Sequence, residues 1–184
     1  HMWKGMYLAL RFLSDPSARQ IYTERLDKPV HLMVVEDNPL HQLFFEPLNH
    51  ISNLTRYQGA IQSTDLVLQE QLAAGYFPNA EHALLSLHQT LKIKGKLPTV
   101  IVSDIELVAP GLGMNGIEFL RTAHNLLEEH GRREEIMFAV VYSSNLSLYQ
   151  SQVDELVTDG VINRAWNKGE FSLAEFTSNL NMAT

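Results

Sequence analysis

The chain contains no cysteine. Disulfides, thiol nucleophiles and thiolate metal sites are therefore excluded, and a reducing cytoplasmic setting is expected. Positive charge is scarce: 14 Lys and Arg stand against 21 Asp and Glu, a formal net charge of −7. That balance argues against direct nucleic-acid binding and against anionic membrane surfaces. Long apolar runs are missing too. The stretch MYLAL near the N-terminus is cut by Arg11, far short of the ~20 residues that a spanning helix needs. None of the eight histidines falls in a His-x-x-x-His or His-Glu-x-x-His pattern, so no zinc-hydrolase signature exists; most are expected on solvent-facing helix surfaces. There is no Gly-x-Ser-x-Gly elbow, which argues against a serine hydrolase. Repeats and low-complexity tracts are absent as well.

What remains is an ordinary globular composition, 45% apolar over 184 residues, enough for one domain with a sizeable core, or a domain plus an extension. His1-Met2 reads as a cloning remnant. Residues 3–28 read as an N-terminal helical extension or linker. Ser14-Asp15-Pro16 opens a helix over 17–26, and Lys28-Pro29 ends it. The main domain then runs over 30–184. HLMVV (31–35) is a short buried strand. Asn38-Pro39 opens a helix through HQLFFEPLNHI despite Pro47. A second strand is expected near 66–73. NAEHALLSLHQTLK is a helix capped by Asn79, TVIVS a strand, and IEFLRTAHNLLEEH a helix closed by Gly131. IMFAVVY and VINRAW are strands, each followed by a helix. The alternation predicts an α/β fold, a doubly wound five-stranded parallel sheet.

Polar residues cluster where these strands end. Glu36-Asp37 follows the first strand, Asp104 ends TVIVS, Ser143-Ser144 ends MFAVVY, and Lys168 follows the last strand. In a parallel sheet the C-terminal ends share one edge, so these groups are expected to converge. Adjacent carboxylates repel, and a hard cation such as Mg²⁺ relieves that repulsion. Each element also has a plainer reading. The acidic pair suits the positive start of a helix, the serines suit a turn or cap, and a lysine is solvent-exposed by default.

Taken in order, the residues of 31–180 resemble the receiver domain of two-component response regulators, a flavodoxin-like fold. The resemblance implies Asp104 as phospho-acceptor and Glu36, Asp37 and Asp104 as Mg²⁺ ligands, with the backbone carbonyl of Glu106 as a further ligand. It implies that Ser143 bonds a phosphoryl oxygen and that Lys168 pairs with the same group. The implied partners are a histidine kinase or histidine phosphotransfer protein. A homodimer through the last two helices is also implied, with Leu146, Tyr149 and Val153 as contact candidates. Such a domain is regulatory rather than an enzyme; it catalyses only its own phosphorylation and dephosphorylation.

Several features depart from the family pattern. Asp37 and Asp104 are far apart, which places an insertion within 50–79. The loop IELVAPGLGMNG is long. Gly169 stands where the family has proline, and Ala165 where it has an aromatic residue, with Trp166 beside it. These departures motivate a second reading, a receiver-shaped interaction module that does not use phosphate. A third reading is a haloacid-dehalogenase-like phosphatase using Asp104-Ile-Glu106. Gly111-Leu-Gly113-Met-Asn-Gly116 matches a dinucleotide fingerprint, but it lies too far from its strand for the tight turn that motif requires.

Overall fold

The computed structural model describes residues 25–59, 63–108, 112–170 and 172–183. Of the helix expected over 17–26, residues 17–24 lie outside them. In chain order the elements are β1 (Arg25–Val35), α1 (Pro39–Gln42), β2 (Ser52–Arg56), α2 (Leu66–Ala73), β3 (Tyr76–Phe77), α3 (Ala80–Lys92), β4 (Val100–Asp104), α4 (Gly116–Glu129), β5 (Phe138–Ser143), α5 (Gln150–Thr158), β6 (Arg164–Asn167) and α6 (Leu173–Ala183). The strands form one sheet in the order β2-β1-β4-β5-β6, with β3 added beside the end of β1. Every pairing is parallel. This is the doubly wound α/β, flavodoxin-like architecture.

Strand alternation sorts the core into two layers. Leu32 and Val34, Val100 and Val102, and Phe138 and Val140 share one face with Phe45, Leu48, Phe176 and Leu180. Met33 and Val35, Ile101, and Ala139 and Val141 share the other with Leu87 of α3, Phe119 and Leu120 of α4, and Leu156 of α5. Helix α4 starts at a full capping box, in which the Asn115 side chain accepts from Glu118 N–H and the Glu118 side chain accepts from Asn115 N–H. Gly116 is forced at that start, because a Cβ there would lie 1.8 Å from the backbone oxygen of Asp104. This explains one glycine of the apparent fingerprint: it lets α4 begin against the end of β4. No helix among the described residues is long and apolar enough to cross a membrane.

Four expectations need correction. Residues 66–73 are helix α2, not a strand. Asp65 caps it by accepting from the N–H groups of Val67 and Leu68, and only Leu72 is buried. The edge beside β1 is instead shared by β2 and β3, so α2 is the insertion that the long spacing implied. The helix through Pro47 is short: α1 stops at Gln42, and a 3₁₀-helix continues over Leu43–His50. Proline inside an α-helix removes a bond and crowds the preceding turn. Residues 25–28 belong to β1 rather than to a helix ended by Lys28-Pro29. Pro29 falls where the β1–β2 register shifts, between Arg25 and Val30, the kind of irregularity that tolerates a missing N–H. Finally, Val153 cannot serve a dimer surface, since it is 2% exposed within the core. The exposed apolar side chains there are Leu148 and Val157, with Met182 on α6.

Candidate functional site

Register places Asp104 opposite Tyr142, and Val35 opposite Ser103. Glu36, Asp104 and Tyr142 thus continue the even-numbered rows of three neighbouring strands onto one face at the C-terminal edge. The Glu36 N–H donates to the Phe77 carbonyl at 3.0 Å, so β3 anchors the backbone of that acid.

Glu36 and Asp104 are both buried, 0% and 3% exposed. The Lys168 ammonium lies between them, 2.8 Å from Asp104 Oδ2 and 3.2 Å from Glu36 Oε2. It also donates to His41 Nδ1 at 2.9 Å, and it sits 4.7 Å from the centre of the Tyr142 ring. The Tyr142 hydroxyl donates to Glu36 Oε2, and the Asn38 N–H donates to Glu36 Oε1 at 2.9 Å. Even so, burial first and Asp104 second push the Glu36 carboxyl up to about 7. Burial, reinforced by the Glu36 carboxylate, also pushes the Tyr142 hydroxyl well above its ordinary value. Burial and then the Lys168 charge hold the His41 imidazole below its usual range.

The site opens into a cleft of about 230 Å³ lined by Asp37, Asn38, His41, Asp104, Glu106, Ser144, Asn145 and Lys168. The Asp37 side chain is exposed at its rim. Asp104 Oδ1 accepts from the Glu106 N–H at 3.2 Å. The Glu106 carboxylate accepts from Ser143 Oγ at 3.1 Å and from Asn145 Nδ2 at 3.0 Å. Ser143 in turn accepts from the Asn145 N–H at 2.9 Å. The structure therefore joins Glu36 and Asp104 through Lys168, leaves Asp37 at the rim, and pairs Ser143 with Glu106 in the wall of the same cleft. Trp166 packs against Phe138 and Phe176 under α6, away from the layer that Ala165 joins.

Sequence reasoning missed His41, Tyr142 and Asn145. His41 follows Glu36 by five residues, just past the Asn38-Pro39 helix start, and that position turns it back over the strand end. Tyr142 was visible in the alternation of FAVVYS, which puts it on the face of Asp104.

The donor set fits a divalent cation. Two buried carboxylates face one ammonium, Asp37 adds negative charge at the mouth, and Glu36, His41 and Asp104 each offer a ligand atom, all within 4.8 Å of one another. Hard cations favour such carboxylate oxygens.

No family model and no curated protein matches this chain. A crystal structure of adenylate cyclase from Rhodopirellula baltica is similar to it, with 17% identity, a TM-score of 0.54, and coverage of 84% of this chain and 87% of that one. At that identity the likeness concerns the fold, an α/β architecture common to both chains.

Proposed function

We propose that this chain is a phospho-accepting receiver domain, in which Asp104 takes a phosphoryl group from a phosphohistidine on a histidine kinase or phosphotransfer protein. The observation that carries this reading is the contact between Lys168 and Asp104, 2.8 Å across the ends of nonadjacent strands, beside a second buried acid. A carboxylate oxygen of Asp104 forms the new O–P bond while the N–P bond of the donor breaks. The donor imidazole leaves with that electron pair and takes up a proton. Carboxylates act as covalent nucleophiles in this way. Mg²⁺, held by Glu36, Asp37 and Asp104 with the Glu106 carbonyl, would neutralise charge on the incoming group. Lys168 sits where it can pair with a phosphoryl oxygen on Asp104. Ser143 has a single O–H, now donated to Glu106, and would have to give up that bond to donate to the phosphoryl group.

The reading makes the domain a regulator that works through partner binding, in a cytoplasmic setting. The Glu106 carboxylate is already engaged by Ser143 and Asn145, which disfavours the phosphatase reading, since that reading needs the second acid of Asp104-Ile-Glu106 available. The same Ser143–Glu106 bond favours the phosphate-independent interaction module as the second reading. Intact-mass spectrometry after incubation with Mg²⁺ and a small phosphodonor separates them. One phosphoryl is expected on wild type and none on Asp104→Asn. An unlabelled wild type that also fails to bind Mg²⁺ leaves the interaction module, and labelling that persists in Asp104→Asn removes Asp104 as the acceptor.

A further inference from the structure

The imidazole of His41 points its Nδ1 at the same spot as the two buried carboxylates. Lysine has only donors, so the 2.9 Å contact from Lys168 Nζ makes Nδ1 an acceptor. Its lone pair therefore faces inward, as a metal ligand requires. His41 Nδ1 is 3.7 Å from Glu36 Oε2. One ion about 2.1 Å from each donor needs them within about 4.2 Å of one another. The three atoms already lie within 4.8 Å. Closure therefore takes a fraction of an ångström. A cation already sits at this spot, because the Lys168 ammonium touches Glu36 Oε2, His41 Nδ1 and Asp104 Oδ2.

From this we propose a mixed nitrogen–oxygen metal centre of His41, Glu36 and Asp104, which selects Mn²⁺ or another first-row transition ion over Mg²⁺ and competes with the Lys168 ammonium for one position. The inference rests on the receiver reading only in treating the edge as a metal site. Carboxylates alone suit Mg²⁺, whereas an imidazole suits transition ions. Mg²⁺ also gives up its water reluctantly, so an imidazole ligand gains it little. Because ammonium and ion use the same three atoms, entry of the ion moves Lys168 off Glu36, His41 and Asp104. That frees the ammonium for an anionic group arriving in the cleft.

The test titrates Mn²⁺ and Mg²⁺ separately into wild type, His41→Ala and Lys168→Met, with circular dichroism as a folding check. Electron spin-echo spectroscopy of bound Mn²⁺ reads directly coordinated nitrogen. His41→Ala is expected to weaken Mn²⁺ about tenfold, change Mg²⁺ less than about threefold, and abolish the nitrogen modulation. Lys168→Met is expected to tighten Mn²⁺ binding. Bound Mn²⁺ without nitrogen modulation in wild type, or an unchanged Mn²⁺-to-Mg²⁺ ratio in His41→Ala, overturns the proposal. So does a wild type that binds neither ion. Nitrogen-coupled Mn²⁺ in a protein whose Asp104 takes no phosphoryl upholds this centre and removes the receiver reading. Phosphorylation of Asp104 with Mg²⁺ and no nitrogen ligand does the reverse.

Discussion

Replacing Lys168 with methionine removes the ammonium while keeping a long apolar stem. The side chain is 11% exposed, between carboxylates that are 0% and 4% exposed. At an effective dielectric constant of about 20, its attractions at 3.2 and 2.8 Å are worth roughly 5 and 6 kcal/mol. Two effects offset that loss. The variant no longer desolvates an ammonium, which costs several kcal/mol in the wild type. Glu36, already raised to about 7, takes a proton and removes most of its repulsion with Asp104. The net loss expected at pH 7 is about 3 kcal/mol, at the low end of the range for breaking a buried ion pair. For a domain of this size that lowers Tm by roughly 6–12 °C. Because protonation provides the relief, the loss shrinks at pH 5. Urea and thermal unfolding at both pH values, with and without divalent ion, measure it. A variant within about 1 kcal/mol of wild type at pH 7, with no dependence on pH, refutes the reasoning that Lys168 holds two buried charges together.

The metal-free wild type carries its own pH signature. The Glu36 carboxyl is raised in the fold from 4.5 to about 7, so between those values the native state holds a proton that the unfolded chain has released. Stability therefore falls as pH rises through that window, by about 3 kcal/mol in all. Glu36→Gln is expected to flatten the curve, and an unchanged slope in that variant assigns it to another group. Gly116→Ala forces a methyl to within 1.8 Å of the Asp104 oxygen and is expected to cost about 3 kcal/mol and to slow labelling of Asp104. A variant as stable as wild type means that α4 can shift freely from β4. Asp104→Asn is expected to end phosphoryl uptake, read by intact mass.

The convergence of Glu36, Asp104 and Lys168 was legible because period-2 strands ending at one edge leave little choice of position. The insertion was legible as a long interval between Asp37 and Asp104, but its structure was not. Residues 66–73 are apolar enough for a strand. Only the cap by Asp65, and the exposure of Leu66 and Val67 at 84% and 68%, make them a surface helix. Ser143 marks a different limit. Its place at a strand end was evident, yet alternation puts it on the opposite face from Tyr142, and it meets Glu106 instead of Asp104.

Sequence alone determined the α/β alternation, the doubly wound layers and the edge on which the acids and the lysine gather. These follow from local hydrophobic period and from the handedness of parallel connections. The tertiary structure decided which groups touch: that His41 and Tyr142 enter the acidic pair, that Glu106 takes the Ser143 hydroxyl, and that β2 and β3 share one edge of β1. Those contacts span up to 106 residues of chain. They depend on side-chain direction and packing across strands, which no local pattern in the sequence encodes.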